Sequence, residues 1–424
     1  MSPEKDTSKK AAAEDGSPEG PLTPWERFKE KVWQPWLAAL AFSCAVGVVL
    51  YLRYPAKFDV ITGQIPQDFG VYVKAWQRYQ QGEPVYVPNE YLAFKYAPGM
   101  LALIGVLPKA PTDAWFAFST LCVAALTLSF MIGARYRSWR DVVALILGVA
   151  LAWKGILECF DYGQVEVFIL PVLILATSLY TRYTLAAGAL VGMLPWLKAP
   201  LLFMIIPFAV ASSRRERDEV KPPLRRLKLF TSGFLFSSVF WGAGLPSLAF
   251  GPDRALRMSQ EWFNLLRTQP TSLFANDMNQ SLWASVSRWV DVHASAPSSE
   301  MTALGIAALL CGLLMGLLVI RRPYAPTAQD SFVWITPWLI MGQLVNPLSW
   351  RWGSVYLVGA CFAAFRPGRR FLWFRSLLWL AVIGLFLLQQ NPFVKGVLGL
   401  THWTDLHEAG VITLYWVTLL LLSI

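Results

Sequence analysis

Apolar residues fall in long runs along this chain, and the runs set its architecture. The first covers about 36–51. Others follow at about 112–134, 142–160, 164–181, 183–197, 199–212, 229–250, 301–320, 331–346, 352–365, 372–389 and 410–424. Such runs approach the roughly 20 apolar residues that carry an α-helix across a bilayer core. Backbone groups in lipid must be paired within the segment, so the runs predict helices. The expected fold class is an all-α polytopic membrane protein with about 12 transmembrane helices. A further run at 97–107 is closed by Pro108-Lys109-Ala110-Pro111. It is too short to cross and predicts a re-entrant or interfacial helix. Just before it the period changes. Phe69, Tyr72, Val73, Trp76 and Tyr79 recur at helical spacing. That pattern predicts an amphipathic helix in the membrane interface, with aromatics at headgroup level and Lys74 and Arg78 towards water.

The polar stretches give the orientation. Residues 1–33 mix both charges with Ser, Pro and Ala, which predicts a disordered cytoplasmic tail. Residues 34–424 read as a single transmembrane domain. The short loops at 135–140, 214–228, 321–322 and 366–375 are basic. The positive-inside rule puts them, and both termini, in the cytoplasm. The long segments 53–111 and 251–300 then become outer-face loops. Were 97–107 a full span, the basic loop 214–228 would be forced outside. The net charge of +10 is thereby accounted for by cytoplasmic anchors, and no nucleic-acid partner is implied. Only 15% of residues are charged, against about a quarter in soluble proteins. The five cysteines lie in or beside apolar runs without a CxxC, and the three histidines are scattered. Neither a disulfide framework nor a metal site is expected.

Against this background a few polar residues stand out, all at the expected outer face. Asp68 precedes the amphipathic helix. A partly desolvated carboxylate there suits a general base, and an Asp before a helix equally suits an N-cap. Lys198, in Leu197-Lys198-Ala199-Pro200, sits between two apolar runs. It suits a phosphate ligand or a snorkelling anchor. Gln164 opens a span after Gly163 and could meet a sugar hydroxyl or tie helices together. Asp161 and Glu166 add negative charge beside it. Asn279-Gln280-Ser281 fits a glycosylation sequon by pattern, or a substrate contact. Asn346-Pro347 breaks a helix, followed by Trp350 and Arg351. No Gly-rich phosphate loop and no DxD pair occurs, so any sugar donor should itself be membrane-borne.

These motifs form an ordered series. Asp68-Phe69-x-Val71-Tyr72, Gly82-x-x-x-Tyr86 and Phe94-x-Tyr96-x-Pro98 come first. Gly163-Gln164-Val165, Lys198-Ala199-Pro200, Asn279-Gln280-Ser281-Leu282 and Asn346-Pro347-Leu348-Ser349-Trp350 follow. From about residue 60 to 355 the series resembles glycosyltransferase family 87, the polyprenyl-phosphate-mannose-dependent α-mannosyltransferases of the GT-C fold. The resemblance implies an inner-membrane enzyme whose site opens to the outer face. Its donor would be a polyprenyl-phosphate sugar and its acceptor a glycolipid or glycan. Asp68 matches the family's loop aspartate, the proposed base. Tyr72, Tyr96, Gln164, Lys198, Asn279, Gln280, Asn346, Trp350 and Arg351 become the expected substrate-binding residues. The family usually carries a histidine just after its Ser-Trp pair, where this chain has Arg351-Trp352-Gly353. An inverting transfer needs one base and positive charge for the departing phosphate, so no metal or cofactor is expected. A secondary transporter or lipid flippase, or a non-catalytic relative, is the alternative reading.

Overall fold

The computed structural model describes residues 33–57, 67–88, 90, 93–213, 223–268, 279, 281–293, 299–321, 331–346, 351–364 and 417. Every described element is a helix. Four helical stretches among these residues are long and apolar enough to cross a membrane: Trp33–Leu52, Pro111–Gly133, Trp139–Tyr162 and Arg225–Phe250. Shorter apolar helices fill the bundle between them. The expected span at 372–389, that at 410–424 apart from residue 417, and the tail up to residue 32 lie outside the described residues.

In chain order α1 is Trp33–Lys57 and α2 is Gln67–Gln81. The short α3, Pro98–Ile104, spans only seven residues, about 10 Å of helix and far less than a bilayer core. Next come α4 (Pro111–Gly133) and α5 (Trp139–Tyr162). Asp141 starts α5 by accepting from the backbone N–H groups of Ser138 and Arg137, both at 2.9 Å, and so satisfies donors the helix start leaves open. The sequence 164–212 then yields α6 (Glu166–Leu179), α7 (Thr184–Leu197), a 3₁₀ turn (Ala199–Met204) and α8 (Ile205–Ser213). Pro171 and Pro195 lie within α6 and α7, which neighbouring helices tolerate inside an apolar bundle.

The expected span at 229–250 is interrupted. α9 (Pro223–Val239) passes through a π-helical turn, Phe240–Gly244, into α10 (Leu245–Phe250). A Cβ on Gly99 of α3 would lie 2.6 Å from the Trp241 carbonyl oxygen, and one on Gly242 would meet the Trp196 ring. The π turn thus packs against the α3 backbone at Gly99 and against the Trp196 ring of α7.

The segment 251–300, expected as a loop, instead carries two helices. α11 (Pro252–Arg267) buries Ala255, Met258, Trp262 and Leu265 on one face. α12 (Leu282–His293) follows, then α13 (Ser299–Arg321) and α14 (Ser331–Val345). The expected span at 352–365 forms a 3₁₀ segment, Arg351–Gly359, that packs on α5, and a short α15, Ala360–Ala364.

The interfacial reading of α2 also needs correcting. Phe69 and Tyr72 are buried inside the protein, so their rings face neighbouring helices and not lipid headgroups. Phe69 packs against Trp115 and Phe118 of α4, with ring centroids 5.0 and 5.1 Å apart. An aromatic ring buries far more apolar surface this way than it would at an interface. On the basic side of α2 Lys74 is exposed, as expected, but Arg78 is largely covered, and both pair with Glu90, at 2.5 and 2.6 Å.

Candidate active site

The site is built on one turn. α5 stops at Gly163, whose φ of 79° is left-handed and suits glycine alone among common residues. Its N–H reaches the Phe160 carbonyl, and that of Gln164 reaches Cys159 at 2.7 Å, a closure typical of helix C-termini. The chain then reverses into α6. Gln164 and Glu166 are held at this corner, 4% and 2% exposed.

Each grips a residue from elsewhere in the chain. Gln164 Nε2 donates to Asp68 Oδ2. Glu166 Oε1 accepts from Lys198 Nζ. Asp68 stands in the first turn of α2, one residue inside the helix start at Gln67, so its carboxylate is used across the fold in place of the N-cap role. Lys198 is placed by the end of α7. Its backbone is extended and its N–H closes the helix on Leu194 at 2.9 Å. Pro200, which has no N–H to extend an α-helix, then opens the 3₁₀ turn.

Burial pushes the Asp68 carboxyl above its ordinary value of 3.8. The Gln164 hydrogen bond opposes that rise, the charge of Glu166 adds to it, and Lys198 and Lys95 oppose it. Asp68 is thus a basic carboxylate flanked by cations, a combination suited to taking a proton.

Behind Asp68 stands an aromatic wall. Tyr72 is buried and its hydroxyl donates to the Tyr96 hydroxyl at 2.9 Å. Tyr86 donates to the Tyr96 carbonyl at 2.9 Å. Burial raises the Tyr72 and Tyr96 phenols well above the usual range, so both stay neutral hydrogen-bonding groups. Tyr72 therefore sits behind Tyr96, which is the more accessible of the two. α11 closes the same end: Trp262 Nε1 donates to the Lys95 carbonyl at 2.9 Å, and Arg254 lies 4.0 Å over the Tyr79 ring.

Next to the Glu166–Lys198 pair lies a small, partly open pocket. Glu166, Lys198, Gln343, Asn346 and Tyr356 give it polar groups, and Leu201, Phe203, Met204 and Leu339 line the rest. The structure therefore brings together Asp68, Tyr96, Gln164, Lys198 and Asn346 from the expected set. Asn279 is placed differently. It is fully buried, its Oδ1 accepts from the Ser281 N–H at 3.1 Å, and its carbonyl accepts from Arg288 at 3.1 Å. It shapes the start of α12. A buried asparagine leaves no room for a glycan, so the sequon reading is set aside. Trp283 Nε1 ties this turn to the Val345 carbonyl at 2.9 Å, beside Asn346. Gln280 and Trp350 lie outside the described residues, and of Arg351 only the backbone is described.

Sequence reasoning registered Glu166 only as nearby charge, and missed Gln343 and Tyr356. Glu166 did carry a signal: a carboxylate at the head of an apolar run is costly and needs a partner. Among the described residues no three His, Cys, Asp or Glu side chains are grouped to hold a metal ion.

The model of glycosyltransferase family 87 matches residues 94–347. The chain belongs to glycosyltransferase family 87. It is accordingly a membrane glycosyltransferase, as its apolar helices require. No curated protein matches it. The family 87 match begins at Phe94, so Asp68 precedes it. Asp68 is tied to the matched stretch by its hydrogen bond to Gln164.

Proposed function

We propose that this family 87 enzyme moves a hexose, with mannose the leading candidate, from a polyprenyl-phosphate sugar to a lipid or glycan acceptor. The transfer takes place at the outer face of the inner membrane, on a GT-C scaffold of about 12 spans with both termini cytoplasmic. One observation carries the reading. A basic carboxylate and a pocket-lining ammonium, Asp68 and Lys198, meet at one corner although they are distant in sequence.

The chemistry follows from that pair. Asp68 accepts the proton of an acceptor hydroxyl. The hydroxyl oxygen attacks the anomeric carbon from the face opposite the phosphate, and the bond from that carbon to the phosphate oxygen breaks. Polyprenyl phosphate leaves with the electron pair, and the configuration inverts. Lys198 offsets the charge on the departing phosphate, where a fixed cation in a dry site has its largest effect. Phosphate leaves readily, so no general acid is required.

The test is turnover of the purified enzyme with a panel of polyprenyl-phosphate hexoses and lipid acceptors. Lys198→Gln should raise the donor KM by roughly tenfold or more, the effect of losing a charge-assisted contact. An unchanged donor KM would remove Lys198 from the donor site. Product of retained configuration would overturn the inverting step.

A further inference from the structure

Glu166 is bound more sparsely than its burial calls for. It is 2% exposed. Oε1 holds Lys198. Oε2 is also buried and meets no hydrogen-bond partner among the described residues. Burying a carboxylate is costly, and one ion pair repays the cost only when the remaining lone pairs are satisfied too. As a structural bridge the pair is therefore poor value.

Its position suggests another use. Lys198 is the only cation among the described residues lining the pocket. On the donor reading above, on which this inference rests, a lipid phosphate needs that same ammonium. Two anions must then share or exchange one cation. Lys198 has three donors and could touch both. Even so, the carboxylate and the phosphate repel each other, strongly so in a low-dielectric pocket.

We infer that Glu166 is a built-in competitor of the lipid phosphate for Lys198, one that speeds release of the polyprenyl phosphate product. Between turnovers it holds the ammonium in place beside the pocket. While lipid phosphate is bound it weakens that contact. As the lipid leaves, the ion pair re-forms. On the donor reading the sugar adds contacts of its own, so the donor tolerates a weakened phosphate contact better than the product, which has lost its sugar. The exchange makes and breaks no covalent bond.

The test is equilibrium binding of a polyprenyl monophosphate to the full-length protein in lipid nanodiscs, with the matching polyprenol as control. Glu166→Gln keeps the shape but holds Lys198 through a neutral acceptor, roughly half as strong as a charged one. It should bind the phosphate roughly tenfold more tightly and the polyprenol no differently. Glu166→Asp retreats by one methylene and keeps the charge, and serves if the amide variant does not fold. It should tighten binding in the same direction by less. Equal or weaker phosphate binding by both variants would overturn the proposal and make Glu166 a holder of Lys198 only. Lys198→Gln separates this from the donor reading. If that variant binds the phosphate as well as wild type, the donor reading fails and the competitor role falls with it.

Discussion

At the scale of single residues Asp68 carries the proposed chemistry. The sequence offered two uses for it, base or helix cap. The structure gives its carboxylate to Gln164, from the far end of α5. Asp68→Asn keeps an acceptor for the Gln164 amide but cannot take a proton, so turnover should fall by ~10²–10⁴-fold. Turnover within about threefold of wild type would be too small a loss for a general base. The pH response has a definite sign. The folded-state value of Asp68 is raised by burial, so the folded protein holds that proton more tightly than the unfolded chain does. Protonation favours folding, and stability falls as pH rises from the ordinary value of 3.8 through the raised one. Melting temperatures of Asp68→Asn should therefore match or exceed wild type at neutral pH, with a flatter acid-side slope. A lower melting temperature at neutral pH would contradict this. Gln164→Leu supplies an independent check. It removes the hydrogen bond that lowers the Asp68 value, so the acid limb of the pH–rate profile should move to higher pH. If Asp68 is not the base, that limb stays where it is.

At the scale of elements, what the sequence revealed depended on the period of each segment. Long runs such as those forming α4 and α5 were legible within a few residues, because a bilayer core sets their length. The short α3 was legible for the same reason, being too short to cross. α11 was not. Its buried stripe of Ala255, Met258, Trp262 and Leu265 follows helical spacing, yet Arg254, Arg257, Glu261 and Arg267 among them make the segment read as loop. The burial of Phe69 and Tyr72 escaped as well, since helical spacing says which residues share a face and not what covers it. Half of the site was legible. Asp68, Gln164 and Lys198 could be picked out because polar residues beside apolar runs are costly, but their pairing through the turn at Gly163 depends on tertiary geometry. That turn makes its own prediction. A Cβ on Gly163 would lie 2.8 Å from Phe69 Cβ, and the left-handed backbone disfavours any side chain. Gly163→Ala should cost about 1–2 kcal/mol from the backbone alone. It should also move Gln164 off Asp68, lowering both melting temperature and turnover. Wild-type values for both would mean the turn does not hold the site.

At the scale of the whole molecule, helices meet through small residues. A Cβ on Gly188 or Gly192 of α7 would lie 2.1 or 2.4 Å from a carbonyl oxygen of α9, the close backbone approach that glycines four apart allow in membrane helices. Exposed Leu121, Leu128, Phe236, Leu309 and Leu313 are spread over α4, α9 and α13, as expected of surfaces that face lipid and not water. Such a body has two ends, and its orientation decides where the chemistry takes place. Asp68, Lys198, Asn346 and the cap made by α2 and α11 belong to one end through their contacts. The α4–α5 turn at Arg135 to Arg140 follows one full helix length of α4 away from Trp115, which packs on Phe69 at the site. That turn is basic, and basic short loops stay in the cytoplasm. The site end should then face outward. Single cysteines in a background lacking the five native ones would decide it. Glu83→Cys and Arg137→Cys both fall on exposed positions. A membrane-impermeant maleimide applied to intact cells should label the first and leave the second until the membrane is opened. The reverse pattern would place Asp68 and the pocket in the cytoplasm, where a donor presented at the outer face could not reach them.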